Sequence, residues 1–398
     1  MKILFLNLWA EIPFYRTYIG NGEHEIWHVC DPNGQRFLRT YLAEDEISGL
    51  TLPTAPDPNE MLQLLQTVYR QFPFERVVAI DEHTVLSAAY VRDVFDLPGP
   101  RAAEVEPFRN KRRMKEILAE KGIRVIRDID PAILTTDAFT PCVIKKTDGT
   151  GADGVHICSS FSEFEQHRGG LEQGALLEEF VEGDFFHVDG AYNATGFVAM
   201  PHAYINTCYD HYVHGKPLGS VGVDDKALKE RLIRFAQETV AALPAREGVF
   251  HLEIIRTRQD ELVFLEIGGR VGGGEIYRNF VDTYNFDLMG FHIQSQLGLT
   301  PQVRELRENA IAGWLMLNNF EFVPGIYAGL DCKLLNEDNC MYALWQPQLG
   351  RRFNARQNQF VKFSLRANTS AEVHASIHDL IANITIKSLP VPVPVPEA

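Results

Sequence analysis

The feature that most constrains this fold is a pair of apolar segments that each carry one buried acid. The segments GVFHLEIIRT and ELVFLEIGG place Glu253 and Glu266 thirteen residues apart, with a turn at residues 258–260 between them. A hairpin of this length brings the two carboxylates together on neighbouring strands. Two buried carboxylates repel each other unless a proton or a cation lies between them. Mg²⁺, which takes one or two carboxylates together with substrate phosphates, suits this pair.

A glycine-rich loop forms the second informative motif, in PCVIKKTDGTGADGVHICS at residues 141–159. Gly149, Gly151 and Gly154 satisfy the dinucleotide pattern GxGxxG, which requires a helix to begin in the loop. Here the glycines lead into VHIC, a β-branched segment typical of a strand, so the dinucleotide interpretation fails. Bare backbone N–H groups beside Lys145 and Lys146 suit a polyphosphate, and the alternative is a plain hairpin with exposed lysines.

A third motif is the segment ALLEEFVEGDFFHVDG at residues 175–190. Glu178 and Glu179 interrupt an apolar strand that bends at Gly183. The pattern is compatible with a surface edge strand. It is also compatible with a hinge whose backbone groups at Val181 read an adenine edge, with an acid nearby for the ribose hydroxyls.

Composition excludes several classes of function. The 398 residues carry a formal net charge of −15, which argues against a nucleic-acid partner because phosphate backbones need a basic face. No apolar stretch approaches the roughly 20 residues that cross a bilayer. The six cysteines are scattered without a CxxC pair, which indicates reduced thiols in the cytoplasm and no zinc site. The P-loop, nucleophile-elbow and HExxH motifs are absent from the sequence.

The chain begins with alternating strand and helix patterns up to LPGP at residues 97–100, which predicts an α/β layer with a parallel sheet. A basic helix follows in FRNKRRMKEILAEKG, and KALKERLIRFAQETVAAL is strongly amphipathic. After Pro301 the pattern changes to short strands and turns. His211 and His214 have loose metal-ligand spacing, but their Tyr- and Gly-rich surroundings favour substrate contacts or plain surface residues.

Taken in order, these motifs resemble the ATP-grasp superfamily, and EIGGRVGGG with LPGP is similar to the branch of bacterial L-amino acid ligases and carnosine-synthase-like enzymes. The resemblance implies an α/β (α+β) fold with four parts. These are an N-terminal domain (1–107), a central subdomain with a glycine flap (108–183), a catalytic subdomain (184–300) and a C-terminal accessory or lid domain (301–398).

The resemblance also implies a role for each motif residue. The implied ATP-binding residues are Lys111, Lys145, Gly149, Gly151, Gly154, Glu178, Glu179, Val181 and Asp184, the last as candidate for the ribose. The implied metal ligands for Mg²⁺ or Mn²⁺ are Glu253 and Glu266. The implied catalytic residues are Arg270 and Glu266. The implied substrate contacts are His211, His251, Gly272 and Gly273. Many members carry an asparagine two positions after the second glutamate, where this chain has Gly268.

The family resemblance predicts ATP-dependent joining of a carboxylate to an amine, with an acyl phosphate as intermediate and amino acids as substrates. Arg270 would face the acyl phosphate, and the glycines around it would expose backbone N–H groups to the substrate carboxylate. A carboxylase or phosphotransferase with the same nucleotide site is the alternative, and a non-catalytic nucleotide-binding module is a third. No nucleic acid or membrane partner is expected, and a homodimer stays open.

Overall fold

The computed structural model describes residues 1–6, 18–19, 23–32, 35, 38–39, 47–51, 58–318, 325–332, 340–353 and 361–390. Every structural statement here concerns these ranges. Within them, no helix has the length and the apolar character needed to cross a membrane.

The chain begins with a parallel sheet and its helices, which we call the N-terminal layer. Its elements are β1 (Lys2–Leu6), β2 (Glu25–Cys30), β3 (Ile47–Thr51), α1 (Pro58–Gln71), β4 (Arg76–Ala79), α2 (Val85–Phe95) and α3 (Ala102–Val105). The strand order is β3-β2-β1-β4, and the pairings are parallel. The predicted parallel α/β layer is confirmed. The strand β3 was not predicted, because ISGLT is too short and too polar to show a strand pattern.

A small antiparallel sheet follows, which we call the flap sheet. Its segment contains α4 (Lys111–Glu120), β5 (Cys142–Lys145), β6 (His156–Cys158), α5 (Phe161–His167), α6 (Gly169–Glu172) and β7 (Leu176–Glu179). Strand β5 lies between β6 and β7 and pairs antiparallel with both. Residues 146–155, the glycine flap, join β5 to β6 without starting a helix. The predicted strand–loop–strand geometry is confirmed, and it excludes a dinucleotide-binding turn.

The remaining elements build an eight-stranded sheet and a three-stranded sheet. They are β8 (Gly183–Asn193), β9 (Gly196–Tyr204), α7 (Cys208–His214), β10 (Leu218–Gly222), α8 (Lys226–Ala242), β11 (Gly248–Thr257), β12 (Leu262–Gly268), α9 (Ile276–Asp282), α10 (Leu288–Gln296), β13 (Ile311–Leu317), β14 (Gly325–Cys332), β15 (Met341–Trp345), β16 (Arg352–Phe353), β17 (Val361–Ala367), α11 (Ser370–Asn383) and β18 (Ile384–Pro390). The larger sheet, called the large sheet below, has the order β12-β11-β8-β9-β10-β13-β17-β15.

The large sheet continues across the predicted domain boundary at residue 301. Strand β10 pairs antiparallel with β13, and β13 pairs antiparallel with β17. Residues beyond 301 therefore extend the sheet that carries Glu253 and Glu266. The four-part division of the chain stays a prediction.

Helix α11 corrects the expectation that the chain after Pro301 holds only short strands and turns. Thr369 and Glu372 form a capping box at its start. Val373, Ile377 and Leu380 recur at helical spacing and are fully buried against the large sheet. This helical signal was present in the sequence and was missed.

Both faces of the N-terminal sheet are covered, because successive residues of a strand point to opposite faces. Leu4 and Leu6 pack in the cluster that contains residues of α1 and α2. Ile3 and Phe5 pack in a different cluster, with Ile293 of α10. Residues far apart in the sequence thus join the N-terminal layer to the segment that contains α10.

The side chain of Gln296 completes this junction at the edge strand β4. Its Oε1 accepts a hydrogen bond from the Ala79 N–H at 2.9 Å, and its Nε2 donates to the Ala79 carbonyl at 2.8 Å. The buried Arg92 guanidinium donates to the same Oε1 at 2.8 Å and to the Val77 carbonyl at 2.8 Å. One amide therefore satisfies backbone groups that an unpaired sheet edge would leave buried without partners.

We predict that Gln296→Ala lowers the free energy of unfolding by about 3 kcal/mol, because it leaves the Ala79 backbone groups unpaired and removes one acceptor from a buried guanidinium. Urea denaturation followed by fluorescence measures the change. Gln63→Ala on the exposed face of α1 is the control, expected to stay within about 0.5 kcal/mol of wild type. Equal denaturation midpoints for the two variants would contradict this role of Gln296.

Candidate active site

A cavity of about 1580 Å³ lies between the glycine flap, the large sheet and the N-terminal layer. Most of the residues singled out in the sequence line it, although they come from four separate stretches of the chain. These residues are Lys111, Lys145, Gly149, Gly151, Glu178, Glu179, Val181, His251, Glu253, Glu266, Arg270, Gly272 and Gly273.

The two glutamates of the predicted pair face each other across β11 and β12. Glu253 and Glu266 are direct cross-strand partners, and a register shift follows between Glu253 and Ile254. The predicted juxtaposition is confirmed. The Lys111 ammonium lies 3.1 Å from the Glu266 carboxylate, and the Tyr204 hydroxyl donates to Glu253 at 2.8 Å. Each carboxylate thus has its own partner in the protein.

His251 supplies the positive charge beside Glu253. Its Nδ1 donates to the buried Asp189 carboxylate at 2.8 Å, and its Nε2 lies 3.6 Å from Glu253. Burial acts to lower the pKa of His251, but the charge of Asp189 outweighs burial and raises it to about 10. Burial acts to raise the pKa of Glu253, but contact with His251 and the hydrogen bond from Tyr204 outweigh burial and lower it. At neutral pH, Glu253 is therefore an anion beside an imidazolium.

Lys111, Lys115 and Lys145 are buried and paired, whereas Lys146 is exposed. The Lys145 ammonium lies 2.7 Å from Glu178, and Lys115 lies 2.8 Å from the same carboxylate. Lys111 donates to the Gly149 carbonyl of the flap at 2.6 Å. Lys145 is thus no exposed surface lysine, and Glu178, predicted to bind ATP, holds two ammonium groups.

The hinge between β7 and β8 adjoins an apolar slot of the cavity. The slot is lined by Val143 and Ile157 of the flap sheet, and by Ile255 and Leu265 of the large sheet. Val181 of the hinge packs with these large-sheet residues in a single small cluster that includes Leu265. Apolar side chains next to backbone polar groups suit a purine ring.

Glu179 lies at the rim of this slot but is held by cations. Arg124 contacts it at 2.7 Å and Arg127 at 2.6 Å. Burial acts to raise the pKa of Glu179, but these arginines outweigh burial and lower it. Glu179 therefore fixes the segment between α4 and β5 to β7.

Arg270 forms an ion pair with Glu82, a residue that the sequence analysis did not single out. Glu82 follows β4 in the N-terminal layer and accepts hydrogen bonds from both Arg270 and Arg109. Arg109 also donates to the carbonyl of Asp148 in the glycine flap at 2.8 Å. Burial acts to raise the pKa of Glu82, but Arg270 and Arg109 outweigh it and lower the pKa to about 2. The signal for Glu82 was its place at the carboxyl end of a parallel strand, where ligand sites concentrate.

The glycine turn, residues 268–274, is packed so closely that side chains would not fit at several positions. A Cβ at Gly268 would lie 3.1 Å from the Glu82 carboxylate, and one at Gly272 would lie 2.5 Å from Asp189. A Cβ at Gly274 would lie 2.9 Å from the Trp314 ring, and this glycine has a φ of +66°. Gly273 has open space beside it. Many family members carry an asparagine at the position of Gly268. The glycine in this chain leaves room for the Glu82 carboxylate.

Three predicted site residues lie away from the cavity. Asp184 is exposed and pairs with Arg256 at 2.7 Å, which removes it from any ribose in this cavity. His211 is fully buried on α7 with its Nδ1 2.7 Å from the Lys216 carbonyl oxygen, so it is neither a substrate contact nor a surface residue. Gly154 packs against the Lys146 side chain.

A buried polar chain beneath the site was also missed by the sequence analysis. It continues from Asp189 to His187 at 2.5 Å, from His187 to the Ser220 hydroxyl at 2.7 Å, and from Ser220 to His202 at 3.2 Å. His187, Asp189 and His251 are close enough to share a metal ion, but hydrogen bonds account for their approach. These residues sit inside apolar strands, and no spacing rule reveals them.

Comparison with known proteins agrees with this geometry. Residues 108–274 match a family model described as an ATP-grasp domain. The chain is 27% identical over 263 residues to an L-arginine-specific L-amino acid ligase of Bacillus subtilis, covering 61% of each chain. It is 26% identical over 238 residues to dapdiamide A synthase of Enterobacter agglomerans, covering 54% of each chain. The chain thus spans less than two thirds of the length of these curated relatives.

Solved structures extend the likeness over the whole fold. An L-amino acid ligase from Bacillus licheniformis superposes with a TM-score of 0.76 at 16% identity, covering 97% of this chain and 98% of that chain. Biotin carboxylase from Campylobacter jejuni superposes with a TM-score of 0.70 at 13% identity, covering 97% and 92%. At these identities the likeness concerns the fold alone. With the matched segment, it shows that this chain has the ATP-grasp fold and that its residues 108–274 form an ATP-grasp domain.

Proposed function

We propose that this protein is an ATP-dependent carboxylate–amine ligase that forms an amide bond between amino acids through an acyl phosphate. The observation that carries the proposal is the cross-strand pair of Glu253 and Glu266, which lies in one cavity with Lys111, Lys145 and Arg270. Similarity to a curated L-amino acid ligase and to dapdiamide A synthase supports amide formation as the reaction.

The cavity offers ATP a distinct place for each part of the molecule. The apolar slot of Val143, Ile157, Ile255 and Leu265 would hold the adenine. Lys111 and Lys145 would neutralise phosphate oxygens, and the backbone of the glycine flap would cover them. Phosphoryl transfer requires mainly positioning and charge neutralisation, which these groups supply.

The two glutamates fit a divalent cation. Both are oxygen donors in the same cavity, and Glu253 is anionic at neutral pH. Glu253 and Glu266 would hold Mg²⁺ or Mn²⁺, which would supply positive charge against the negative charge that develops on the phosphate. Within the protein itself, Lys111 balances the negative charge of Glu266, and His251 balances that of Glu253.

Two bond exchanges complete the proposed reaction. A substrate carboxylate oxygen attacks the γ-phosphorus of ATP, the bond to the β-phosphate oxygen breaks, and ADP leaves. The amine then attacks the carbonyl carbon of the acyl phosphate, the carbon–oxygen bond to phosphate breaks, and the amine loses one proton. Arg270 and the backbone N–H groups of the glycine turn would stabilise the oxyanion formed during this attack.

A carboxylase or phosphotransferase is the competing function for the same nucleotide site. Fold similarity to biotin carboxylase does not favour it, since fold alone does not determine the acceptor. The cytoplasmic location stays a prediction. The formation of a homodimer stays open.

We predict that phosphate release requires both an amino acid with a free carboxylate and a second compound with a free amine. The measurement is a phosphate-release screen of amino acid pairs in the presence of Mg²⁺ and ATP, with mass detection of the condensed product. Bicarbonate-dependent phosphate release without any amide product would support the carboxylase and overturn the ligase.

We predict that Arg270→Ala leaves the affinity for Mg²⁺-ATP almost unchanged and slows amide formation by about 10²- to 10³-fold, the usual loss when one oxyanion donor is removed. Lysine at this position should restore activity only in part, because its point charge cannot match a guanidinium fork. Calorimetric titration measures nucleotide binding and mass spectrometry measures product. Lost ATP affinity with normal product formation at saturating ATP would assign Arg270 to nucleotide binding.

We predict that Glu82→Gln slows amide formation by about 10- to 100-fold. The substitution weakens the contact that positions Arg270, and a displaced catalytic group lowers the rate even when it keeps its charge. Glu116→Gln, in an exposed helical ion pair, is the control. The pKa of Glu82 is depressed in the folded state, so its contribution to stability is present above about pH 4.5 and is lost as the pH falls towards 2. A wild-type rate for folded Glu82→Gln would show that Arg270 needs no such support.

A further inference from the structure

A short segment at the entry to the ATP-grasp domain, residues 108–111, holds the first part of the glycine flap. We call this segment the connector. Three consecutive flap carbonyls, at residues 147–149, accept hydrogen bonds from it. Lys111 donates to the first through its backbone N–H at 2.9 Å and to the third through its ammonium at 2.6 Å. Arg109 donates to the second through its guanidinium at 2.8 Å.

The glycine flap is weakly anchored by burial. None of the residues 146–155 is buried, and Ala152 has a φ of +60°, a left-handed conformation that is costly without glycine. The ion pair between Lys146 and Asp153 is exposed, where such pairs contribute little. A segment with few buried contacts opens locally at a small cost in free energy. The hydrogen bonds from the connector therefore matter for keeping the flap over the cavity.

The connector contacts the glycine turn on its other side. A Cβ at Gly269 would lie 3.3 Å from the Phe108 ring, so the two segments pack closely just before Arg270. Arg109 also donates to one carboxylate oxygen of Glu82, and the other oxygen accepts from Arg270. The flap, the connector and Arg270 thus form one continuous chain of contacts.

Arg109 can serve both sides at once because a guanidinium carries several donors in a fixed plane. Its Nη1 donates to Glu82, and its Nη2 donates to the carbonyl of Asp148. The side chains of Arg109 and Glu82 are only 12% and 13% exposed, so water competes little for these bonds. Movement of the flap away from the cavity would remove one of the two acceptors and leave the guanidinium free to shift against Glu82.

We propose that Arg109 is a positioning residue that couples the glycine flap to Arg270. A flap that lies over the nucleotide holds Arg109, Arg109 fixes Glu82, and Glu82 fixes Arg270 for the acyl phosphate. The inference rests on the ligase function proposed above. It makes a covered nucleotide the condition for fast amide formation, so the acyl phosphate meets a fixed Arg270 only where water is already excluded.

The first test is a double-mutant cycle on the rate of amide formation at saturating ATP. We expect Arg109→Met to lower the wild-type rate by about 10-fold, because Arg270 is no longer held in place. In an Arg270→Ala background the same substitution should lower the rate by less than about 3-fold, since residues that act through one another are not additive. Arg109→Lys should restore the rate only in part, because one ammonium cannot match the two-sided guanidinium.

Two substitutions serve as controls for the cycle. Arg113→Met removes an exposed arginine of α4, paired with Glu116, and should leave the rate unchanged in both backgrounds. Lys146→Met removes the exposed ion pair with Asp153, which belongs to the flap but lies outside the chain of contacts to Arg270. Any change that it causes should have the same size in both backgrounds.

The second test needs no substrate. Amide hydrogen exchange of residues 146–155 in the protein alone should become about 3- to 10-fold faster in Glu82→Gln, because Arg109 loses its charged partner and holds the flap less firmly. Glu82 lies outside the flap and outside the matched ATP-grasp segment, so only a connecting residue can transmit this effect. Glu116→Gln is the matched control and should leave the exchange rates unchanged.

Equal rate factors for folded Arg109→Met in the two backgrounds would overturn the inference, and so would unchanged flap exchange in folded Glu82→Gln. In either case, amide products from wild type keep the ligase function intact. Should no acid and amine pair yield an amide, the ligase function fails and the role of Arg109 in amide formation falls with it. If Arg109→Met does not fold, Arg109→Gln provides the same comparison.

Discussion

The close approach of the backbone at the glycine turn is the constraint on which the rest of the structure depends. Four of its glycines pack against four different parts of the chain: Gly268 against Glu82, Gly269 against Phe108, Gly272 against Asp189, and Gly274 against Trp314. A Cβ at Gly272 or Gly274 would lie 2.5 or 2.9 Å from another segment, which would have to shift, and one at Gly268 or Gly269 would make tight contacts of 3.1 or 3.3 Å. The turn is therefore where the N-terminal layer, the entry to the ATP-grasp domain and both halves of the large sheet meet, and Arg270 projects from this junction.

Charge compensation is the second condition that the site satisfies. Glu253 and Glu266 are brought together by strand register, and the protein offsets each with its own cation, His251 or Lys111. His251 is in turn held by Asp189. The lowered pKa of Glu253 keeps this carboxylate ionised in the protein alone, which is the state that binding a divalent cation requires.

Local pattern was enough to predict much of this arrangement. The strand–loop–strand of the flap and the facing glutamates each depend on residues within one short segment, and the parallel α/β layer follows from alternating strand and helix patterns. Lys111, Lys145 and Arg270 were found because motifs of a known family mark them. Glu82, His187 and Asp189 were missed because their roles depend on partners up to 188 residues away, such as Arg270 for Glu82. Asp184 and His211 were misplaced because spacing fixes position along a strand or helix but not which surface faces a cavity.

The contacts of the glycine flap have a consequence for how a nucleotide enters. Arg109 and Lys111 donate to the flap carbonyls of residues 148 and 149, and each also contacts an acid, Glu82 or Glu266. The site thus carries its own counter-ions, so a polyphosphate bound as proposed would exchange partners with them and would not neutralise bare cations. Ionic strength then acts on the encounter chiefly through the overall charge of −15, which repels an anion at long range, and only weakly through these paired lysines and arginines.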